Sequence, residues 1–230
     1  MRVNDRHRSF YYELDNDMGE VHIVPEKTAL LIIDMQNVFV KRPIIQQPTE
    51  IDEKRAAMWE PFYQIIDTVT IPNNIRILKA FREKGIEVAY AMIESQKRSG
   101  SDRSLVQKAT GFNELLLPKG SEASRIIPEL APLEDEIVVK KTTDSAITGT
   151  TLRLMLRNMG IDSVVVTGVF LDQCVSGTVR ALADESFHVW LIEDATRAAT
   201  DEIQKNELEI LNNIYCHVIN TNELMQAIEY

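Results

Sequence analysis

Thiols are scarce: only Cys174 and Cys216 occur among 230 residues. Two sulfurs cannot build a disulfide framework, and a reducing compartment keeps both free. No apolar run is longer than Val88 to Ile93, far below the roughly 20 residues that cross a bilayer, so membrane insertion is excluded. Histidine is equally sparse. His7, His22, His188 and His217 show no metal-ligand spacing, and no Gly-x-Gly-x-x-Gly follows any strand-like segment. The expectation is therefore a protein with no metal and no cofactor. Basic residues are outnumbered, 25 against 35 acidic ones, for a net charge of −10. A phosphate backbone or an anionic membrane surface would be repelled on average, and nucleic acid is not expected as a partner. The first twenty residues carry Asp5, Glu13, Asp15, Asp17 and Glu20 without an apolar stretch. They are not expected to act as a secretory leader, which points to the cytoplasm.

What is present is the composition of a soluble globular chain, 44% hydrophobic and 26% charged, long enough to close one large core. Short apolar segments rich in Val and Ile recur at Ala29–Ile33, Ile86–Ile93, Ile137–Val139, Ser163–Thr167 and Val189–Ile192, with a sixth at Tyr215–Ile219. Nearly continuous runs of this kind predict strands buried on both faces. Between them, amphipathic spacing predicts helices at Pro72–Lys84 (stopped by Gly85), Thr150–Asn158, Asp172–Glu185 and Asp201–Asn212. The alternation predicts an α/β fold with a doubly wound, mostly parallel six-stranded sheet. Residues 1–27 are expected to form an N-terminal arm lying on the surface or on a neighbouring subunit, and 28–230 a single domain. Two stretches, 38–70 with Pro43, Pro48 and Pro61, and 94–128 with Gly100, Gly111, Pro118 and Gly120, are expected to be long loops walling a site.

Sites in such sheets form at the carboxyl ends of the strands. The first strand runs into Asp34. The third ends in Lys140 and Lys141, between which the period of the sequence does not choose. The fourth is followed by Cys174 in what would be the first turn of a helix. There, unpaired amides and the helix dipole favour a thiolate. Cys216, within an apolar strand, is expected to be structural. Base, cation and thiol on strand ends about 5 Å apart can converge on one small substrate.

These residues resemble the isochorismatase-like cysteine hydrolase superfamily, over a stretch from about Thr28 to the end of the chain. The resemblance rests on Asp34-Met35-Gln36, on a strand-end lysine nine residues before a helical threonine (Lys141 and Thr150), on Gly168-Val169-x-x-x-x-Cys174-Val175, and on Glu193-Asp194-Ala195. It selects Lys141 over Lys140. It implies that Asp34 moves protons, Lys141 holds the charges, and Cys174 attacks a carbonyl carbon. It also implies a cis peptide between Val169 and Phe170, with backbone amides of Phe170 and Cys174 as an oxyanion hole. Metal-binding relatives place an Asp and two His after the second strand, where this chain reads Met92-Ile93-Glu94-Ser95-Gln96, so metal dependence is not implied.

The loop segments are similar to ureidoacrylate, biuret and N-carbamoylsarcosine amidohydrolases. The implied activity is cleavage of a C–N amide bond in a small ureido or carbamoyl compound, releasing ammonia or carbamate. The alternatives are another small primary amide, a vinyl ether, or a non-catalytic oligomeric binding protein. Gln36, Phe39, Glu94, Arg103, Phe170 and Arg197 are the candidate substrate contacts, and a homo-oligomer, dimer or tetramer, is expected.

Overall fold

A computed structural model describes residues 6–15, 22–111 and 114–229. Six strands, β1 (Thr28–Ile33), β2 (Glu87–Ile93), β3 (Ile137–Lys141), β4 (Ser163–Val169), β5 (His188–Arg197) and β6 (His217–Ile219), form one sheet in the order β3-β2-β1-β4-β5-β6. Every neighbouring pair is parallel. The winding reverses between β1 and β4, and a crevice opens at that switch point beyond the strand ends.

The strands are apolar throughout because both faces are covered. Leu31, Ile33, Ala91, Val166 and Leu191 pack on one face against Leu152 of α4 (Leu152–Asn158), Val179 of α5 (Ser176–Asp184) and Leu208 of α6 (Asp201–Leu211). On the other face, Leu30, Ile32, Tyr90 and Trp190 meet Phe62, Ile77, Phe81 and Leu224 from three further helices. The edge strand β3 is the exception: Val138 and Lys140 are exposed while Val139 and Lys141 are buried.

Several boundaries differ from expectation. β3 continues through Lys141 and β4 through Val169. β5 runs on to Arg197, so Glu193-Asp194-Ala195 lies inside the strand, with a register shift against β4 between Val166 and Gly168. Thr150 precedes α4 instead of lying in it; its hydroxyl accepts from the Leu152 amide at 3.2 Å and donates to the Ala146 carbonyl at 2.6 Å.

The largest correction concerns 38–70, which is mostly helical. After the short α1 (Asn37–Val40), α2 (Glu50–Ile65) passes through π-helical turns at Ile66–Thr70 directly into α3 (Ile71–Lys84). Thr49 and Asp52 form a reciprocal capping box that starts α2. Pro61 lies inside α2, and Pro72 enters α3 just after the wider turns. Asn73 and Asn74 donate to the carbonyls of Asp194 and Ala195 at 3.0 and 2.8 Å, tying this helical path to β5.

The other long stretch, 94–128, holds only short 3-10 turns among its described residues. The described part of the arm lies against its own chain. Arg6 and His7 pair with Glu193, and Arg6 also with Glu223 of α7 (Thr221–Glu229). No helix among the described residues is long and apolar enough to cross a membrane.

Candidate active site

β1 stops at Ile33, and Asp34 follows with φ of 52°. Its amide still donates to the Ala91 carbonyl at 2.9 Å, so the backbone leaves the ladder while the side chain stays 1% exposed. β2 separates β1 from β3, a gap of about 10 Å from strand to strand. A lysine is long enough to span it from a strand end. Lys141 Nζ donates to Asp34 Oδ2 at 2.7 Å and to the Thr143 carbonyl at 3.3 Å. Strand alternation sends Lys140 the other way, into an ion pair with Glu94.

Beyond β4 the Val169–Phe170 peptide is cis. The chain then enters π-helical turns at Leu171–Val175 that lead into α5. Cys174 lies in this opening segment, 5% exposed. Thr178 holds it in register with the loop after β3, its hydroxyl donating to the Cys174 carbonyl at 2.7 Å and accepting from the Ala146 amide at 2.9 Å. Cys174 and Asp34 share the wall of a cavity of about 340 Å³ with Phe39, Phe170, Gln107 and Asp144. A larger apolar cleft of about 600 Å³, walled by Trp59, Tyr63 and Ile45, adjoins it through Phe39, Leu115, Phe170 and Gln173.

Burial raises the Asp34 carboxyl above its ordinary 3.8, and the charge of Lys141 opposes that rise. The Cys174 thiol is pushed well above 9.0, first by burial and then by the negative charge of Asp34. This corrects the expectation of a thiolate favoured by the helix start: removal from water outweighs the dipole at this position. A thiolate beside an ionised Asp34 would place two anions in one dry site. Passing the thiol proton to Asp34 keeps the local charge constant. The arrangement is suited to the exchange of one proton between thiol and carboxylate.

Replacement of Lys141 by methionine is expected to leave Asp34 buried without its cation and to cost about 3 to 5 kcal/mol of stability, read from urea unfolding. The sign for activity follows from Asp34 needing to be ionised. On the acid side, kcat/KM should fall as pH drops through a value above 3.8, and in Lys141→Met that limb should move to higher pH. An unchanged limb would refute the coupling.

The expected substrate contacts divide. Phe39 and Phe170 line both cavities, with ring centroids 5.7 Å apart. Gln36 is not on either wall. Its amide donates to the Ile93 and Ser124 carbonyls at 2.9 and 2.5 Å and accepts from the Ile93 amide at 2.9 Å. Glu94 is likewise occupied with Lys140, the Gly120 amide and the Ser124 hydroxyl. Arg197 pairs with Asp201 at 2.6 Å and lines neither cavity.

Arg103 is 2% exposed. Its Nε donates to the Leu115 carbonyl at 3.0 Å, while Nη1 and Nη2 have no hydrogen-bond partner among the described residues. Burial lowers its pKa against the opposing charges of Asp144, Asp34 and Cys174, so it sits behind the site as a buried cation. Asp144, Gln107 and Gln173 line the cavity and were not singled out from sequence. The only signal for Asp144 is a carboxylate three residues after Lys141.

An open parallel sheet whose strand ends bring a thiol and a carboxylate to one cavity, the carboxylate held by a buried lysine behind it, defines an α/β protein equipped for nucleophilic chemistry. The model of the isochorismatase domain matches residues 28–223. A probable inactive nicotinamidase of Arabidopsis thaliana is 30% identical over 191 residues, 81% of this chain and 89% of that protein. A ureidoacrylate amidohydrolase of Pantoea ananatis is 24% identical over 215 residues, 91% and 85% of the two chains. Among solved structures, an isochorismatase family protein from Desulfovibrio vulgaris has the same fold, with a TM-score of 0.71 at 24% identity over 89% of this chain and 99% of that one. The chain belongs to the isochorismatase family of hydrolases.

Proposed function

We infer that the chain is a metal-independent cysteine amidohydrolase that cleaves the C–N bond of a small ureido or carbamoyl compound. The observation that carries this reading is Asp34, paired with the buried Lys141, beside Cys174 on the wall of one cavity. Asp34 takes the thiol proton as Sγ attacks the carbonyl carbon, and backbone amides of Phe170 and Cys174 take up the oxyanion. Asp34 returns that proton to the leaving nitrogen, ammonia departs, and a thioester remains. Asp34 then deprotonates a water that attacks the thioester. The tetrahedral adduct expels the thiolate, which recovers its proton from Asp34 and leaves a carbamic or carboxylic acid. The amidohydrolase among the relatives supports the choice of a C–N bond.

The test is ammonia release from a panel of ureas, carbamoyl amines and primary amides, with a chelator in one arm and mass analysis of rapidly quenched enzyme. Release that survives the chelator, with an acyl adduct on Cys174, is the expected result. Loss of release with the chelator, or an adduct elsewhere, would overturn it. A second reading, a non-catalytic member of the family, draws on the Arabidopsis relative named as inactive. It would be favoured if no compound on the panel released ammonia.

A further inference from the structure

We propose that Asp144 selects the substrate by accepting a hydrogen bond from the N–H flanking the scissile carbonyl. The preferred class would then be uncharged or cationic ureas, in preference to simple amides or ureas carrying a carboxylate. This deepens the function proposed above and rests on Cys174 as the nucleophile to place the substrate.

Distance comes first. Asp144 Oδ1 lies 3.9 Å from Cys174 Sγ. A carbonyl carbon poised for attack sits about 3 to 3.5 Å from the sulfur, so Asp144 reaches atoms only one or two bonds from that carbon. Opposite the leaving nitrogen, the carbon's other neighbour is a second nitrogen bearing hydrogen in a substituted urea and a methylene in an alkyl amide.

The orientation of Asp144 is built. Gln107 Nε2 donates to Asp144 Oδ1 at 2.7 Å, and Gln107 Oε1 accepts from the Ser104 hydroxyl at 3.0 Å. The Gln107 amide is thus committed at both ends, and Asp144 Oδ2 receives no hydrogen bond recorded among the described residues. The Thr178 bridge from the Cys174 carbonyl to the Ala146 amide fixes the Asp144 loop against the nucleophile.

Charge points the same way. The ionisable carboxylates on the cavity wall are Asp34 and Asp144. The nearby cations, Lys141 and Arg103, are 1% and 2% exposed and do not line the cavity. Lys141 is already bound to Asp34. A ligand therefore meets carboxylate oxygens at the wall while both cations lie behind it, which favours N–H donors over a second carboxylate.

Calorimetric binding to Cys174→Ala protein, which holds ligands without turnover, tests this with N-propylurea, its isostere pentanamide, and 3-ureidopropanoate. Propylurea should bind about tenfold more tightly than pentanamide, as for one added hydrogen bond to a charged group, and at least tenfold more tightly than ureidopropanoate. Adding Asp144→Asn should bring ureidopropanoate to within about threefold of propylurea. Adding Asp144→Ala should bring pentanamide to within about threefold of propylurea. Thermal melting of each variant controls for folding.

Equal affinities of propylurea and pentanamide, or no measurable binding of any of the three, overturns the proposal. So does tightest binding of ureidopropanoate, which would transfer recognition to Arg103. The readout separates the two claims. Selective urea binding without ammonia release by the parent would refute the nucleophile and leave Asp144 standing. Turnover with unselective binding would do the reverse.

Discussion

Cys174→Ala protein is expected to fold and to release no ammonia, a loss of about 10⁴-fold or more relative to the parent. The thiol interacts with Asp34 and approaches Asp144 at 3.9 Å, and each carboxylate keeps another donor, Lys141 for Asp34 and Gln107 for Asp144, so removal of the sulfur strands neither. The lost volume of one sulfur should cost about 1 kcal/mol. Asp34→Asn should be nearly as inactive, and the double variant no worse than either single one, because thiol and carboxylate act as one unit. Cys216→Ala is the control. Cys216 is buried elsewhere, with its sulfur on the Leu211 carbonyl at 3.6 Å, and its loss should leave turnover unchanged.

Alkaline pH adds a second signature. The folded Cys174 thiol keeps its proton above 9.0, where the unfolded chain releases it. The folded state then binds more protons than the unfolded state, so stability falls as pH rises past that value. Part of that decline should disappear in Cys174→Ala, as read from urea unfolding at several pH values. Full turnover by Cys174→Ala would end the thiol mechanism.

Gly168→Ala is expected to produce the largest structural effect, a destabilisation of at least about 4 kcal/mol. Gly168 pairs with Ile33 across the β1–β4 boundary at φ of +114°, a conformation that L side chains rarely adopt. A Cβ there would stand 1.9 Å from the Ile33 carbonyl oxygen and 2.7 Å from its nitrogen. Both obstacles are backbone of a central strand and cannot rotate away. Relief requires β1 and β4 to separate where one leads into Asp34 and the other towards Cys174. Gly177→Ala is the matched comparison: its Cβ would meet nothing nearer than Ser145 at 3.9 Å, and helix propensity should make it neutral or stabilising by up to about 1 kcal/mol. Equal urea midpoints for the two variants would refute the steric account.

Much of this arrangement was legible in the residues. Continuous Val and Ile runs imply strands covered on both faces, and alternating them with amphipathic segments implies parallel winding, whatever the strand order. A strand running directly into Asp34, and Cys174 just beyond another, are local facts of the same kind. The helix at 50–65 was missed for an identifiable reason. Pro61 within it, with Pro43 and Pro48 before it, reads as a break, and its exposed Ile51 and Met58 blur the amphipathic period. Thr49 and Asp52, three apart, were the signal that should have outweighed them.

Other features had no local signature. Gln36, Glu94 and Arg103 looked like equivalent polar candidates, yet two are committed to loop carbonyls, amides and ion pairs, and the third is a buried cation behind the wall. Asp144 gained its place beside the sulfur from a hydroxyl bridge between two segments distant in sequence. The sequence by itself determined which elements form and which reactive groups stand at their ends, because hydrophobic period and helix termini are properties of neighbouring residues. Tertiary structure alone decided that Lys141 reaches across β2 to Asp34, that the thiol is raised and not lowered, and which polar side chains face the cavity. Distance, burial and field between groups far apart in the chain exist only once the sheet is closed.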